Sequence, residues 1–313
     1  MLRIRLRTWA YPPDEAGCKR FTARNTVKEC YDQLVTDLMQ AASLMTLDKG
    51  NAYASKNAAY ALLANVYLQR GENEKVVEIV NLVMRQNKYK LVTGTEFTNY
   101  FTTDHSTDQE TIFCMRMTSA QTAATFGINY DYTDSRYAAA SEPLIALLNE
   151  GKTDARLQHY VSLMTNTQGT RYFVNKYTQD GNIRLSSPVF SRYAGLLLDR
   201  AEALAKLGRN TEALSDVNAI RQRAGLTDLY SESNLRGRAT VLDAVLDERR
   251  MELAFEFGYR RDDLLRNNRP LVRSYTTNLP GDKITVQPTD ATVVFLLPQT
   301  EMSVNPNLVQ NPQ

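Results

Sequence analysis

Histidine and cysteine are scarce in this chain of 313 residues. The two histidines, His105 and His159, stand far apart and belong to no HExxH or HxH arrangement, which argues against a histidine-based metal or catalytic site. The three cysteines are odd in number, widely spaced and without a CxxC pair, so they support neither a disulfide scaffold nor a zinc knuckle. We therefore expect no metal ion or other cofactor.

Long apolar runs and runs of like charge are absent as well. No stretch of about 18 apolar residues occurs, so we predict no membrane-spanning helix. The start, MLRIRLR, is basic but lacks the apolar region of a signal peptide, and its alternation of Arg with Leu and Ile favours a short strand. A net charge of +2 without a long Lys/Arg run argues against a nucleic-acid partner.

A helical pattern occurs twice in the chain. Within residues 57–86, a segment that is apolar or small on nearly every side is followed by Gly71 and then by an amphipathic segment. The same order returns 137 residues later, within 188–224, where Gly208 corresponds to Gly71. An apolar helix, a Gly-Xaa-Asn turn and an amphipathic helix form a tetratricopeptide hairpin, so we predict two antiparallel helix pairs.

Other helices are needed to complete the stack, because the two hairpins are not neighbours in sequence. Residues 25–45 have apolar side chains at helical spacing, and Thr26 and Glu29 fit a capping box. Residues 240–257 are the second candidate. We expect both segments to pack against the hairpins.

The remaining segments are richer in loops. We predict a strand at 111–117, a hairpin around Gly181 within 165–188, and a loop-rich tail after Asn267 whose NPNLVQNP end caps the bundle rather than binding a peptide. The predicted fold is mostly α, with helical hairpins in an α-α superhelix, long loops and a little β structure.

Three glutamates, Glu248, Glu252 and Glu256, are spaced four residues apart and share one helical face. Such a stripe suits either a metal or glycosidase site or an ion-pair network. We favour the ion pairs, and also a structural role for the Arg and Glu of RAEA at 200–203. The candidate partners of the stripe are Arg200, Arg221, Arg223, Arg249 and Arg260.

Five segments resemble, in order, signatures of the SusD/RagB family. They are NTVKECYDQLVTDLMQAASLM, AAYALLANVYLQRGENEKVVEIVNLVM, LLLDRAEALAKLGRNTEALSDVNAIRQRAGL, VLDERRMELAFEFGYRRDDLLR and FLLPQTEMSVNPNLVQNP. The resemblance spans residues 25–313, which we predict to be one SusD-like domain with its C-terminal signature region at 188–313. Residues 1–24 are atypical of the family, since Cys18 follows PPDEAG rather than an apolar lipobox.

The resemblance implies a function that the residues alone do not. SusD-like proteins are lipid-anchored at the outer membrane of Bacteroidota, where they cap a TonB-dependent transporter of the SusC type and capture glycan without catalysis. For this chain it implies an N-terminally short nutrient-binding subunit at the surface of the outer membrane. Its expected partners are an oligosaccharide or related nutrient and a SusC-like transporter.

Two aromatic segments, FGINYDYTDSRY and GTRYFVNKY, are candidates for the ligand site in a chain with 17 tyrosines. Sugars offer apolar C–H faces and many hydroxyls, which suit flat aromatic rings beside Arg, Asp and Asn. The alternative is loop packing. The predicted ligand-binding residues are Tyr130, Tyr132, Arg136, Tyr137, Arg171, Tyr172 and Tyr177.

Two other functions compete with glycan capture. Helical hairpin repeats form grooves that suit peptides, so a protein-interaction scaffold without glycan binding is the main alternative. An enzyme is disfavoured, because no set of nucleophile, base and orienting group can be assembled from the sequence.

Overall fold

The computed structural model describes residues 3–4, 23–117, 139–166, 169–177, 187–273 and 285–312. Helices dominate these segments, as predicted. The helices are α1 (Val27–Leu44), α2 (Lys56–Arg70), α3 (Asn73–Met84), α4 (Gly94–Thr98), α5 (Glu142–Glu150), α6 (Ala155–Tyr160), α7 (Tyr193–Lys206), α8 (Asn210–Arg223), α9 (Val241–Glu252), α10 (Tyr259–Arg266) and α11 (Gln299–Val304). The strands are β1 (Arg3–Ile4), β2 (Asn25–Thr26), β3 (Thr111–Cys114), β4 (Val161–Asn166), β5 (Gly169–Val174), β6 (Val189–Arg192), β7 (Leu271–Val272) and β8 (Thr285–Val286).

The two predicted hairpins have matching turns. Gly71 and Gly208 have φ angles of 73° and 74°, in the left-handed region that glycine adopts without a steric penalty. The next residues, Glu72 and Arg209, cap α3 and α8 with φ near −84° and ψ of 63° and 61°. The repeated Gly-Xaa-Asn signal therefore encodes the same backbone turn twice.

The hairpins also lie side by side, although 137 residues separate them in sequence. Helix α3 packs directly on α7, α1 covers α2, and α9 packs against both α7 and α8. Both segments predicted to complete the stack do so. The shared core is apolar, and its members include Leu63, Leu68, Val80, Leu204 and Val217, all fully or almost fully buried.

The amino end of α1 confirms the predicted capping box. The Glu29 amide donates to the Thr26 hydroxyl at 3.2 Å, and the Thr26 amide donates to the Glu29 carboxylate at 2.7 Å. The predicted strand near the chain start is also present, as a short antiparallel pairing of β1 with β2. This pairing fixes the segment that leads into α1.

Two predicted boundaries are corrected, and one prediction lies outside the described residues. The strand at 111–117 is limited to β3, which pairs antiparallel with β6. An antiparallel hairpin is formed by β4 and β5, with its turn between Asn166 and Gly169. Gly181 lies outside the described residues, so the hairpin predicted around it stays a prediction. The helix predicted at 240–257 ends at Glu252, because positive φ angles follow at Phe255 and Phe257 and a right-handed helix cannot contain them.

Candidate functional site

The β4–β5 hairpin holds two of the predicted ligand residues, Arg171 and Tyr172. Both are half-buried on β5, where Tyr172 is directly opposite the exposed Leu163 of β4 and Arg171 is opposite Met164. Side chains directly opposite each other in an antiparallel pair point to the same face of the sheet. Tyr172 and Leu163 thus share one face of the hairpin, on which an apolar ligand surface can be built.

The chain segment that follows the first aromatic sequence lies beside this hairpin. Ala139 forms a β-bridge with Phe173, and the Ala140 amide donates to the Tyr172 carbonyl at 2.7 Å. The residues that follow the first aromatic segment are therefore hydrogen-bonded to the second. The remaining predicted residues of the first segment lie outside the described residues, and they are Tyr130, Tyr132, Arg136 and Tyr137.

Tyr177 lies in the interior rather than on a ligand surface. Its side chain is buried, its hydroxyl donates to the Phe255 carbonyl at 2.7 Å, and its ring centre lies 6.0 Å from that of Phe101. A buried tyrosine with a satisfied hydroxyl stabilises packing. We therefore leave Tyr177 out of the proposed site.

Glu252, the last residue of α9, is fully buried and faces three guanidinium groups. Arg192 Nη1 donates to Oε1 at 2.6 Å, Arg156 Nη1 donates to Oε2 at 3.2 Å, and Arg223 Nη2 lies 2.5 Å from Oε1. Burial alone would raise the pKa of this carboxyl, but the charges of Arg223, Arg192 and Arg156 hold the pKa well below its usual range. Glu252 is therefore ionised at neutral pH.

Glu248 lies one helical turn before Glu252 and is also fully buried. Its carboxylate accepts hydrogen bonds from Arg156 at 2.7 Å and from Arg221 at 3.2 Å. Arg156 bridges the two glutamates and donates to Asp154 Oδ2 at 2.7 Å on its other side. Like charges four residues apart repel each other, so this guanidinium lets both carboxylates be buried side by side.

Glu256 lies just beyond the end of α9 and joins Arg192 to Lys176. Its Oε1 accepts from Lys176 Nζ at 2.6 Å and from Arg192 Nη2 at 2.8 Å. The same ammonium donates to the Ala254 carbonyl at 2.9 Å and lies 4.0 Å from the ring centre of Tyr160. Desolvation lowers the pKa of Lys176 to about 8, and the charge of Glu256 opposes this effect.

The acidic stripe is thus a buried ion-pair network, as the sequence predicted. General acid catalysis requires a carboxyl group with a raised pKa that can reach a substrate. These three carboxylates are buried and neutralised by cations within hydrogen-bonding distance. Their contribution is structural, because they tie the end of α9 to elements from distant parts of the sequence.

The partners of the stripe were only partly predicted. Arg221 and Arg223 contact it as expected. Arg249 and Arg200 pair with other acids, and Arg260 forms no ion pair with another described residue. Sequence reasoning missed Arg156 and Lys176, from the segment between the two hairpins, and Arg192, the last residue of β6, because no local pattern marks them.

The RAEA motif also has the predicted structural role, although its charged residues do not pair with each other. Arg200 Nη2 donates to Asp216 Oδ1 at 2.6 Å, which links α7 to α8. Glu202 is fully buried and accepts from Arg266 at 2.7 Å and from Lys206 at 2.8 Å.

The C-terminal NPNLVQNP segment packs onto the domain, as predicted for a cap. The Asn311 amide donates to the Phe295 carbonyl at 2.7 Å, and its Oδ1 accepts from Arg24 Nη1 at 2.9 Å. The Gln310 side chain donates to the Leu297 carbonyl at 3.0 Å. The last described residues are thereby tied to the segment that precedes α1.

A cavity of about 210 Å³ lies between α2, β6, α7 and residues 253–259. Its rim includes Leu62 and Phe257, which are 40% and 49% exposed, so it opens at the surface. On its apolar side, Phe190 stacks on Phe257 with ring centres 5.3 Å apart and an angle of 25° between the rings. This cavity combines aromatic rings with polar side chains, as small-molecule sites do.

The aromatic stack continues beyond the cavity. Phe113 also stacks on Phe190, with ring centres 5.5 Å apart. Phe113 and Phe190 line an open concavity of about 550 Å³ that also includes the exposed Tyr53. Sequence reasoning missed this stack because its members lie far apart in sequence and meet only through the pairing of β3 with β6.

Clusters of metal-binding side chains and membrane-spanning helices are both absent from the described residues. Among these residues, no group of three or more His, Cys, Asp or Glu side chains is placed to hold a metal ion. Within the same segments, no helix combines the length and apolar character needed to cross a bilayer.

Two family profiles match this chain. The profile of the SusD family matches residues 86–313, and a second profile, described as starch-binding and associating with the outer membrane, matches residues 12–68. Because the first match covers well over half of the chain, this protein belongs to the SusD family. The predicted family is confirmed.

Curated relatives occur in Formosa agariphila. SusD-like protein P2 is 26% identical over 275 residues, which are 73% of this chain and 54% of that protein. SusD-like protein P38 is 32% identical over 163 residues, which are 50% of this chain and 29% of that protein. The chain spans about half or less of the length of these relatives.

Solved structures of the superfamily share the fold. A SusD superfamily protein from Bacteroides thetaiotaomicron VPI-5482 has a TM-score of 0.85 and 27% identity, and the match covers 99% of this chain and 71% of that one. A candidate sugar-binding protein from Bacteroides vulgatus ATCC 8482 has a TM-score of 0.81 and 26% identity, with 94% and 67% covered. The predicted mostly α, SusD-like fold is confirmed.

Proposed function

We propose that this protein is a non-catalytic carbohydrate-binding protein associated with the outer membrane, in which residues 25–313 act as one domain. The proposed binding surface combines the β4–β5 hairpin with the aromatic segment that precedes Ala139 in the sequence. The proposed ligand contacts are Arg171 and Tyr172 of the hairpin, with Tyr130, Tyr132, Arg136 and Tyr137 of the preceding segment.

The observation that carries this proposal is the hydrogen bond between the Ala140 amide and the Tyr172 carbonyl. It joins the hairpin to the residues that follow the first aromatic segment, and Tyr137 precedes Ala140 by only three residues in sequence. Both aromatic segments offer aromatic rings and planar polar groups. Aromatic rings stack on sugar C–H faces, and Arg and Asp bind hydroxyls. The likeness to a candidate sugar-binding protein supports the same class of ligand.

The proposed absence of catalysis follows from the burial and pairing of the three glutamates in the acidic stripe. All three carboxylates of the acidic stripe are buried and paired with arginines or Lys176, so they lack the access to a substrate that glycoside hydrolysis requires. We expect capture and release of the ligand without bond cleavage.

Replacement of Tyr172 by Ala is expected to weaken polysaccharide binding about tenfold or more, because a stacking ring contributes on the order of 1 kcal/mol beyond its buried area. The measurement is retardation of the protein in gels that contain individual polysaccharides from a panel, followed by calorimetry with the polysaccharide that binds. The same incubations are assayed for newly released reducing ends, and none is expected.

The matched control is Phe295→Ala, which removes an aromatic ring that is 86% exposed and lies in the C-terminal segment. We expect this variant to bind like the unmodified protein. Failure of every polysaccharide to retard the protein, equal binding by both variants, or release of reducing ends would each contradict the proposal.

We also propose that the partner is a SusC-like TonB-dependent transporter. The first helix and the loop after it carry exposed apolar side chains, Met39, Leu44 and Leu47, whose exposed fractions are 48%, 71% and 70%. Exposed apolar side chains near each other are typical of protein-contact surfaces.

The partner proposal predicts that Leu44→Asp lowers recovery of the transporter at least fivefold when the protein is isolated from its native membranes, because a carboxylate must then be desolvated at the contact. Leu163→Asp, a change of the same kind on the exposed face of β4, is the control for partner recovery. Equal transporter recovery with both variants, or no transporter with the unmodified protein, would rule the partner out.

A further inference from the structure

We propose that the cavity between α2, β6 and α7 is a second carbohydrate subsite that takes a single neutral sugar ring. It deepens the carbohydrate-binding function proposed above, on which it rests, and it is separate from the β4–β5 hairpin. The aromatic residues of this subsite are Phe190 and Phe257, and its polar residues are Asn65, Ser191, Tyr259 and Asp199.

The volume of the cavity is set by small residues. At about 210 Å³ it is large enough for one six-membered sugar ring and too small for a chain of them. Gly195 of α7 lines it, and a Cβ atom added there would meet nothing within 4 Å. Ala61 of α2 is a second small residue in the lining. A larger residue at Gly195 would therefore fill space that is now open.

The apolar wall is the stack of Phe190 and Phe257. Phe257 is half exposed and has a φ of 44°, a conformation in which a bulky residue is strained. Such strain is found where a function requires a side chain in a particular position. In this protein the strained backbone of Phe257 holds its ring at the edge of the cavity, at an angle of 25° to the Phe190 ring. A sugar C–H face can stack on an aromatic ring in this position.

The polar lining is available to a ligand. Among the described residues, no hydrogen-bond partner is present for the Asn65 amide, the Ser191 hydroxyl or the Tyr259 hydroxyl. Asp199 uses Oδ1 for Arg249, at 2.8 Å, and no described residue donates to its Oδ2. Two hydroxyls, an amide and a carboxylate oxygen in one cavity match the alternating donors and acceptors of a polyol.

The charges favour a neutral ligand. Arg192 lines the cavity, but its guanidinium is already hydrogen-bonded to Glu110, Glu252 and Glu256. The two acidic lining residues are also paired, Asp199 with Arg249 and Glu256 with Lys176 and Arg192, so the lining offers no uncompensated charge to a charged ligand. An aromatic side chain of a partner would leave the polar lining desolvated and unpaired, at a free-energy cost that a sugar avoids.

The test uses saturation-transfer NMR with glucose, galactose, mannose and xylose, each added to the full chain at millimolar concentration. For at least one sugar we expect signals from the C–H protons of one ring face. Gly195→Leu fills the cavity within a helix and is expected to weaken this binding at least tenfold. Gly195→Ala is the matched control, because its single methyl group leaves most of the volume open.

Two further variants probe the two kinds of contact. Phe257→Ala and Asn65→Leu are each expected to weaken the same signal at least threefold, by loss of the stacking ring and of the amide. Circular dichroism of all variants confirms that the helices are intact. Glucuronate and p-cresol serve as the anionic and aromatic probes, and both are expected to bind more weakly than the best neutral sugar.

The outcomes separate this subsite from the hairpin. No sugar signal, a signal unaffected by Gly195→Leu, or stronger binding of glucuronate or p-cresol overturns the subsite, whatever Tyr172→Ala does. A sugar signal that Gly195→Leu removes and Tyr172→Ala leaves unchanged supports it. If that signal is found while no polysaccharide is retained, the hairpin surface is wrong and the subsite stands.

Discussion

Replacement of Glu252 by Gln is expected to lower the free energy of unfolding by about 3–5 kcal/mol, the range for removing one partner of a buried ion pair. The carboxylate is fully buried and lies within 3.2 Å of Arg192, Arg156 and Arg223. A glutamine keeps the shape of the side chain but removes the charge, so three guanidinium groups lose part of their compensation in the interior. The measurement is urea unfolding followed by circular dichroism.

The matched control is Glu74→Gln on α3. Glu74 is a helical glutamate with an exposed side chain, and its nearest cation, Arg209, lies 3.9 Å away. Exposed pairs of this kind contribute about 0–1 kcal/mol, so the control variant should unfold close to the unmodified protein. A loss of less than about 1 kcal/mol in Glu252→Gln would show that the network is not a main source of stability.

The second large effect is expected in acid. The free energy of unfolding should be nearly constant from pH 7 to about 5 and then fall steeply, with unfolding complete without denaturant at low pH. Buried carboxylates carry this effect: although burial opposes their ionisation, arginines and lysine hold the pKa values of Glu252, Glu256 and Glu202 below their usual range.

The sign follows from proton binding. A carboxylate with a lowered pKa in the folded state stabilises the protein above the unfolded pKa, near 4.3 for Glu, and loses this contribution as the pH falls through the folded pKa. Asp199 and Asp216 act in the opposite direction, because burial raises their pKa values despite their arginine partners. The three glutamates with lowered pKa values determine the net effect on the free energy of unfolding, since each of them faces two or three cations.

Urea unfolding at pH 7, 5, 4 and 3 tests this expectation. Glu252→Gln should show a shallower decline below pH 5 than the unmodified protein, because one titrating carboxylate is gone. Equal urea midpoints at pH 7 and pH 3 for the unmodified protein would contradict the proposed role of the network.

Much of the fold was predictable because its signals are local. Thr26 and Glu29 cap α1 through atoms three residues apart, and Gly71 and Gly208 encode the same turn by a requirement of their own backbone. The boundaries that were predicted wrongly lack such signals. The end of α9 is set by the positive φ angles of Phe255 and Phe257. These angles cannot be predicted from the residue type, because bulky residues such as phenylalanine rarely adopt them.

The two candidate sites also differ in how far the sequence alone could predict them. Arg171 and Tyr172 could be selected from composition, since aromatic and planar polar residues occur close together in sequence. The cavity beside Phe190 could not be, because its walls come from α2, β6, α7 and the turn after α9. Tyr177 has the same local composition as Tyr172, and only its depth in the core separates the two.

By itself the sequence determined the helical hairpins, their shared turn, the family and the pairing of the acidic stripe with cations, because each depends on spacing along one segment. Tertiary structure alone decided which cations neutralise Glu252, where the aromatic rings stack and which tyrosines remain accessible. These features depend on contacts between residues that are far apart in sequence. Such contacts follow from how α3 packs on α7 and how β3 pairs with β6, which no periodicity of a single segment specifies.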